Sequence, residues 1–444
     1  LARAAVSRLK HNVTGVGLRF QCRADWEFLG IADAEGEFLE RQIEREFDLW
    51  SKSHDCDSER SLNFYGLQTL AFVSMLISGD VFVNTPYIER SKPSSLAVQL
   101  IEADRVTNPN WVPDTRRMIR GIELDGNSAP IAYHILSQHP GDEILEGWHW
   151  DRFVVFGRST GRRRILHILE KERSEQKRGV PYLAPILEPL KQLDRYTEAE
   201  LTAAVVSSLL TVFIKTEGGN TLPVYTESTT SPEKSDEIEL GSGAILNLMP
   251  GESIDPVNPT RPNASYEPFV QAIFKQIGAA LSLPIEFLQL FFSSSYSAAR
   301  AALLQAWKTV LFERQIMIDM FCQPIYELWF DELVARGRIQ AKDYSDPLIR
   351  FAWTKADWVG PTRGALDENK EVAAAKDRIE LGVSTRQIEA EEISQLDWLD
   401  IHKQLVKEER KRKESGLIVI PEEQASAVIL QQEQQQKQGE QANG

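Results

Sequence analysis

Cysteine is scarce: Cys22, Cys56 and Cys322 are the only three in 444 residues, they lie far apart, and no C-x-x-C pair occurs. That excludes a disulfide framework and a cysteine-held zinc, and the thiols read as free, mostly buried and kept in a reducing compartment. Long hydrophobic runs are scarce as well. The longest charge-free apolar stretch, residues 201–214, falls short of the ~20 residues needed to cross a bilayer, so a soluble chain with no membrane partner is expected. Positive charge is in deficit, the net charge being −15. A protein that grips nucleic acid by neutralising phosphates needs a cationic face, and the bulk field here opposes that mode. No G-x-x-x-x-G-K-[ST] loop is present, so any nucleotide-driven motor must be another protein.

What is present is ordinary for a globular protein: 42% apolar and 26% charged residues, enough chain for about two to four domains with real cores. Leu1 opens what reads as the middle of an amphipathic helix, so residues are expected to precede it. Residues 35–50 form a second amphipathic helix with Phe38, Ile43, Phe47 and Trp50 on one side, and residues 62–78 a more apolar one. Short strands follow at 81–84, 97–101, 119–124 and 131–136, with Asp125-Gly126 as a hairpin turn between the last two, and then at 152–156 and 164–169. A long helix is expected over residues 182–214. A Pro- and Gly-rich stretch with short strands, among them 244–248, follows to Asn263.

The longest uninterrupted helical signal comes next. An apolar helix from Tyr266 to Leu283 breaks at Pro284, and a hydroxyl-rich turn leads into residues 298–323, which contain neither Gly nor Pro. Leu303, Trp307, Val310, Leu311, Met317, Ile318 and Phe321 recur there at spacings of three, four and seven. At 1.5 Å per residue this helix is about 40 Å long, which suits an element crossing a large assembly. One more strand is read at 348–353, then helices over 367–381, 384–394 (capped by Ser384 or Thr385) and 397–413. The run 403–414 mixes both signs of charge, as on a solvated helix face with i,i+4 pairs. The Gln-rich end is of low complexity, either disordered or a solvated helix. The fold class is α+β, predominantly helical.

Enzyme chemistry finds little support. Gly157-Arg158-Ser159-Thr160-Gly161 fits the G-x-S-x-G nucleophile elbow and follows a strand, which makes a serine hydrolase using Ser159 the sharpest catalytic alternative. An elbow leads into a helix on a parallel sheet, however, and Arg162-Arg163-Arg164 leads into another strand; a polar hairpin loop is the better reading. His134, His139, His149 and His167 sit in no compact ligand constellation, so neither a metal site nor a cofactor is expected. A non-ring helical interaction scaffold is the other alternative. The serines around Tyr296, with Arg300 just inside the following helix, read locally as a capping turn.

Four blocks, in order and spacing, give the chain a family resemblance. They are Arg178-Gly179-Val180-Pro181 with Gln192-Leu193-Asp194; Leu248-Met249-Pro250-Gly251-Glu252 with Arg261-Pro262; Tyr296-Ser297-Ala298-Ala299-Arg300-Ala301 with Trp307; and Asp357-Trp358-Val359-Gly360-Pro361 with Lys370-Glu371-Val372 and Ile379-Glu380-Leu381-Gly382-Val383-Ser384-Thr385. Over almost its whole length the chain resembles the lambda-type portal proteins of tailed bacteriophages, whose members carry a further N-terminal region.

That resemblance implies a non-enzymatic subunit of a ring, usually of twelve, at one capsid vertex, with a central channel for double-stranded DNA during packaging and ejection. It implies a wing over residues 1–180, a stem helix over 181–214, a β-rich clip over 215–264, a second stem helix over 265–289, a tunnel loop and long tunnel helix over 290–337, a return to the wing over 338–361, a helical crown over 362–416 and a tail over 417–444. Phe291, Phe292, Ser293, Ser294, Ser295 and Tyr296 would face DNA, with Ser297 and Arg300 at the helix start, Arg300 turned into subunit packing or helix-end contacts. Thr216, Asn220, Tyr225, Glu233, Lys234, Asp236 and Glu237 of the clip would dock the terminase large subunit and later the head–tail adaptor. The major capsid protein is the remaining partner, and the location implied is the virion, reached through the host cytoplasm. The acidic balance fits a channel that passes any DNA sequence without holding phosphates tightly.

Overall fold

The computed structural model describes residues 2–90, 94–143, 147–208, 212–216, 252–256, 263, 265–290, 296–364, 368–394 and 396–415, with 206–208, 212–216, 252–256 and 296 described in backbone alone. The chain begins with α1 (Ala2–Val13), β1 (Arg19–Cys22), α2 (Asp33–Ser51) and α3 (Phe64–Ser78). Asn63 caps α3 by accepting from the Gly66 amide at 2.9 Å. Strands β2 (Asp80–Asn84), β3 (Gln99–Glu102), β4 (Met118–Ile119), β5 (Ile122–Leu124), β6 (Pro130–Leu136), β7 (Trp150–Val154) and β8 (Ile165–Leu169) follow. They make a three-stranded sheet in the order β3-β2-β8 and an antiparallel meander β4-β5-β6-β7. Phe82 lies opposite His167 in the first sheet, the two rings stacked 4.2 Å apart. With Ile122, Tyr133 and Ile135 of the meander they form a small second core between the sheets.

Helix α4 (Leu187–Ser208) runs out to β9 (Val212–Thr216), which pairs antiparallel with β10 (Glu252–Pro256), and α5 (Tyr266–Ala280) returns. After α6 (Ile285–Gln289) come α7 (Tyr296–Met317), a π-helical turn Ile318–Cys322 and α8 (Gln323–Ala335) without interruption. Then α9 (Pro347–Trp353) leads to β11 (Ala356–Val359), which pairs with β1, and α10 (Glu368–Glu380), α11 (Arg386–Ser394) and α12 (Trp398–Glu414) close the described chain.

One large core unites α1, α2, α3, the first sheet and α5 to α8. Its centre is aromatic: Phe64 stacks on Phe321 at 5.6 Å and Phe47 meets Trp329 edge-on at 5.1 Å. The Glu332 carboxylate, buried on α8, accepts from Ser94 Oγ and Ser95 N at 2.6 Å and Leu96 N at 3.0 Å, which pins the segment before β3 to that helix. All three cysteines are free and buried.

The structure departs from the periodicity in several places. Residues 348–353 are helix α9, not a strand: Asp346 accepts from the Leu348 and Ile349 amides, Pro347 opens the first turn, and the returning strand is β11 instead. The expected 119–124 strand is split, since Arg120 and Gly121 take positive φ (46° and 83°) and turn β4 back on β5. The helix expected over 182–214 begins as a 3-10 turn at Ala184–Ile186 and gives way to β9, where the β-formers Val212, Phe213 and Ile214 pair with β10. Phe38 points outward, 66% exposed, while Ile43, Phe47 and Trp50 are buried. The long helix continues past Gln323. Pro324 has no N–H to give, and the wider turn at Ile318–Cys322 loosens the ladder just before it, so the rod runs on to Ala335.

Candidate functional site

The rod from Tyr296 to Ala335 changes character along its length. Of residues 297–312 only Ala306 and Val310 are buried, whereas from Met317 onward Phe321, Cys322, Ile325, Tyr326, Trp329 and Phe330 are fully covered. One half is therefore planted in the main core, and the other rests on it along one side only, through Leu303, Ala306, Trp307 and Val310. Leu304, Leu311 and Phe312, at seven- and eight-residue spacing on one face, are exposed.

The planted half is fixed by Arg314. Its guanidinium donates to the carbonyls of Val13 (3.2 Å), Asn12 (2.8 Å) and Pro361 (2.7 Å), closing the C-terminal end of α1 and tying it to the segment after β11. Burial pushes its pKa down to about 10. Gly360 makes the room, since a Cβ there would stand 2.6 Å from Arg314 Nε. Next to it, Glu313 is 3% exposed, its Oε2 lacks a hydrogen-bond partner among the described residues, and burial together with Glu170 pushes its pKa up to about 7.

At the start of the rod Ser297 is exposed and Arg300 turns to α10, its Nη2 lying 3.5 Å from Glu371 Oε1, while Arg363 reaches Oε2 of the same carboxylate at 2.9 Å. Leu290 ends α6 in a left-handed conformation (φ 53°), and Tyr296 begins α7. Phe291, Phe292, Ser293, Ser294 and Ser295 lie outside the described residues, as do Asn220, Tyr225, Glu233, Lys234, Asp236, Glu237, the 244–248 strand and the Gln-rich end. Thr216 is the last residue of β9, opposite Glu252. Helices α4 and α5 beneath that ribbon lie side by side: Tyr196 stacks on Tyr266 at 5.7 Å, and Asn263 Nδ2 donates to Glu200 Oε1 at 2.5 Å. At their other end Tyr182 Oη donates to the Leu281 carbonyl at 2.5 Å.

The root of α4 is held by a buried hub that spacing alone missed. Arg178 grips both oxygens of Asp80 and donates to the carbonyls of Ala103, Val106 and Arg120; His167 and the Gly179 amide add two more bonds to the same carboxylate. Burial alone would raise the Asp80 pKa, but the bonds from His167 and Arg178 outweigh it and hold it down at about 2. Burial keeps His167 below its usual value. A second unforeseen cluster joins the C-terminal helices to the rest: Arg23 contacts Glu40 (3.2 Å), Asp357 (3.1 Å), Glu391 (2.8 Å) and Asp397 (3.4 Å). Arg178, Asp357 and Glu371 fall in the blocks that carry the family resemblance, but their partners are distant in sequence.

The catalytic alternative does not assemble. Gly157 and Gly161 close a turn, Phe156 bridges Arg163 antiparallel, and the chain enters β8 rather than a helix, leaving Ser159 exposed on a hairpin loop. A cleft of about 600 Å³ is lined by Arg19, Lys52, Glu44, Asp48, Asp397 and Asp400 among others, and Ser159 is not part of it. His134 and His167 are engaged by Glu123 and Asp80.

The family model described as phage portal protein, lambda family, matches residues 1–314. Portal protein B of Escherichia phage lambda is 24% identical over 428 residues, covering 91% of this chain and 80% of its own length. The portal protein of Escherichia phage N15 is likewise 24% identical, over 430 residues, with coverage of 91% and 80%. Among solved structures, the neck of an empty gene transfer agent particle is similar at 12% identity, with 87% of each chain covered and a TM-score of 0.43. An HK97-family phage portal protein from Corynebacterium diphtheriae is similar at 11% identity, covering 68% of this chain and 81% of that one, with a TM-score of 0.31.

Proposed function

Because the chain belongs to the lambda family of phage portal proteins, and so serves as a structural component rather than an enzyme, we propose that its copies close into a ring, usually of twelve, at one capsid vertex. Double-stranded DNA passes through the centre without sequence readout, inward during packaging and outward during ejection.

The observation that carries this reading is the rod from Tyr296 to Ala335, buried on all sides at one end and on one side at the other, next to paired helices that end in a ribbon. In this reading residues 1–180 with 338–361 are the wing, α4 and α5 the stem, and the insertion between β9 and β10 the clip that meets the terminase large subunit and then the head–tail adaptor. Thr216, Asn220, Tyr225, Glu233, Lys234, Asp236 and Glu237 are its docking residues. Phe291 to Tyr296 form the tunnel loop against DNA, with Ser297 and Arg300 behind it, and α10 to α12 are the crown. The wing faces the major capsid protein. The Arg300–Glu371 pair supports a role for Arg300 in packing rather than in lining the channel. Purified protein viewed end-on by negative-stain microscopy is expected to show closed rings; a monomer or dimer under assembly conditions, seen also by native mass spectrometry, overturns the reading.

A further inference from the structure

Helices α10, α11 and α12 form a module that one subunit leaves unfinished. Within these helices the buried side chains are Ala375 and Glu389, and α12 buries none. Their larger apolar residues stand at the surface instead: Val372 on α10, Leu381 and Val383 just after it, Ile388 and Ile393 on α11, and Leu405 and Val406 on α12 are between 48% and 77% exposed. Along α12, Trp398, Ile401 and Leu405 follow the spacing of an amphipathic stripe with no core opposite it. The ties to the same subunit are polar, through Arg23 to Glu391 and Asp397 and through Arg300 and Arg363 to Glu371. Helices of 13, 9 and 17 residues are near or below the length that is stable alone in water, about 12–15 residues even for good helix formers. A helical layer needs a second layer to bury its apolar face.

Three features point to a second copy of this chain as the cover. Residues 407–414 at the end of α12 carry five basic side chains against Glu408, Glu409 and Glu414, a net +2 in a protein of net charge −15, while α10 and α11 carry seven carboxylates against four basic side chains, so the two surfaces are opposite in net sign. Both complementary faces lie on one chain, which is the condition for the head-to-tail contacts that close a ring. The module is also tied by Glu371 to the start of the rod, the element assigned to the ring's interior.

We propose that the crown acquires its folded core only between neighbouring copies, so that crown folding is coupled to ring closure. The inference rests on the ring reading. Hydrogen exchange on the full chain tests it, comparing monomer with ring. Peptides from α10 to α12 are expected to exchange at least ~10-fold more slowly in the ring, while peptides from α3 and α8 stay protected in both states. Leu405→Glu with Val406→Glu is expected either to abolish that slowing in intact rings or to block ring formation by a folded monomer. Deletion of residues 416–444 is expected to leave the slowing in place. Rings of the unaltered chain with an unprotected crown, a crown equally protected in its monomer, rings of the double variant with full crown protection, or protection lost with the deletion each overturn the proposal and leave the ring reading standing; absence of rings from the unaltered chain sinks both.

Discussion

Arg178 holds Asp80 by both carboxylate oxygens, Nε to Oδ2 at 2.6 Å and Nη2 to Oδ1 at 3.1 Å. The same guanidinium spends its remaining hydrogens on carbonyls near β3, so the root of α4 is sewn to the β-sheets through one buried ion pair.

That pair gives acid sensitivity with a definite sign. The folded pKa of Asp80 lies at about 2, below its ordinary 3.8, so its stabilisation is complete above about pH 4 and fades as the pH falls through 2. The shift corresponds to about 2 kcal/mol. In urea titrations, Asp80→Asn should be less stable than the parent by at least that much at pH 6, with the gap narrowing towards pH 2.5. A gap that stays constant over that range would tell against the pair.

Glu313 behaves in the opposite sense. Its folded pKa is raised to about 7 from 4.5, so the protonated carboxyl suits the fold, and stability present below about pH 4.5 is lost as the pH rises through 7. Glu313→Gln, which keeps the shape without the charge, should raise the melting temperature at pH 8 by an amount equivalent to about 3 kcal/mol and change little at pH 4. Equal effects at both values would show that folding leaves the Glu313 pKa where it is in the unfolded chain.

Gly360→Ala would push a methyl group against Arg314, whose three carbonyl bonds leave it little freedom to retreat. Overpacking of this kind costs about 1–3 kcal/mol. Chemical denaturation should show that loss, and Arg314→Ala combined with it should be non-additive because the two share one contact.

Replacing residues 291–296 with a short glycine linker should leave rings intact in negative stain yet impair DNA packaging or retention in a reconstituted assay. Normal packaging by that variant would remove the proposed role of the loop in handling DNA.

Much of this architecture was legible in the residues because local chemistry decided it. Thr385 stands before α11 and accepts from the Ile388 amide, one of the two caps the sequence offers there, and Asp125-Gly126 joins β5 to β6. Local chemistry misled where a cap outvoted a β-rich composition, as Asp346 did for Leu348 to Trp353. It misled again where a π turn made Pro324 harmless. The site was legible as blocks but not as contacts: Arg178 meets Asp80 across 98 positions and Arg300 meets Glu371 across 71, distances at which spacing carries no signal.

The half-buried rod has a mechanical consequence. Held in the main core from Met317 onward and resting on it through Leu303, Ala306, Trp307 and Val310 before that, it is a lever about 30 Å long from Met317 to Tyr296, so a tilt of ~2° at its root carries its far end by about 1 Å. Small strains where Arg314 joins α1 to the β11 segment are thereby magnified at the far end, where Arg300 meets Glu371, and so reach α10.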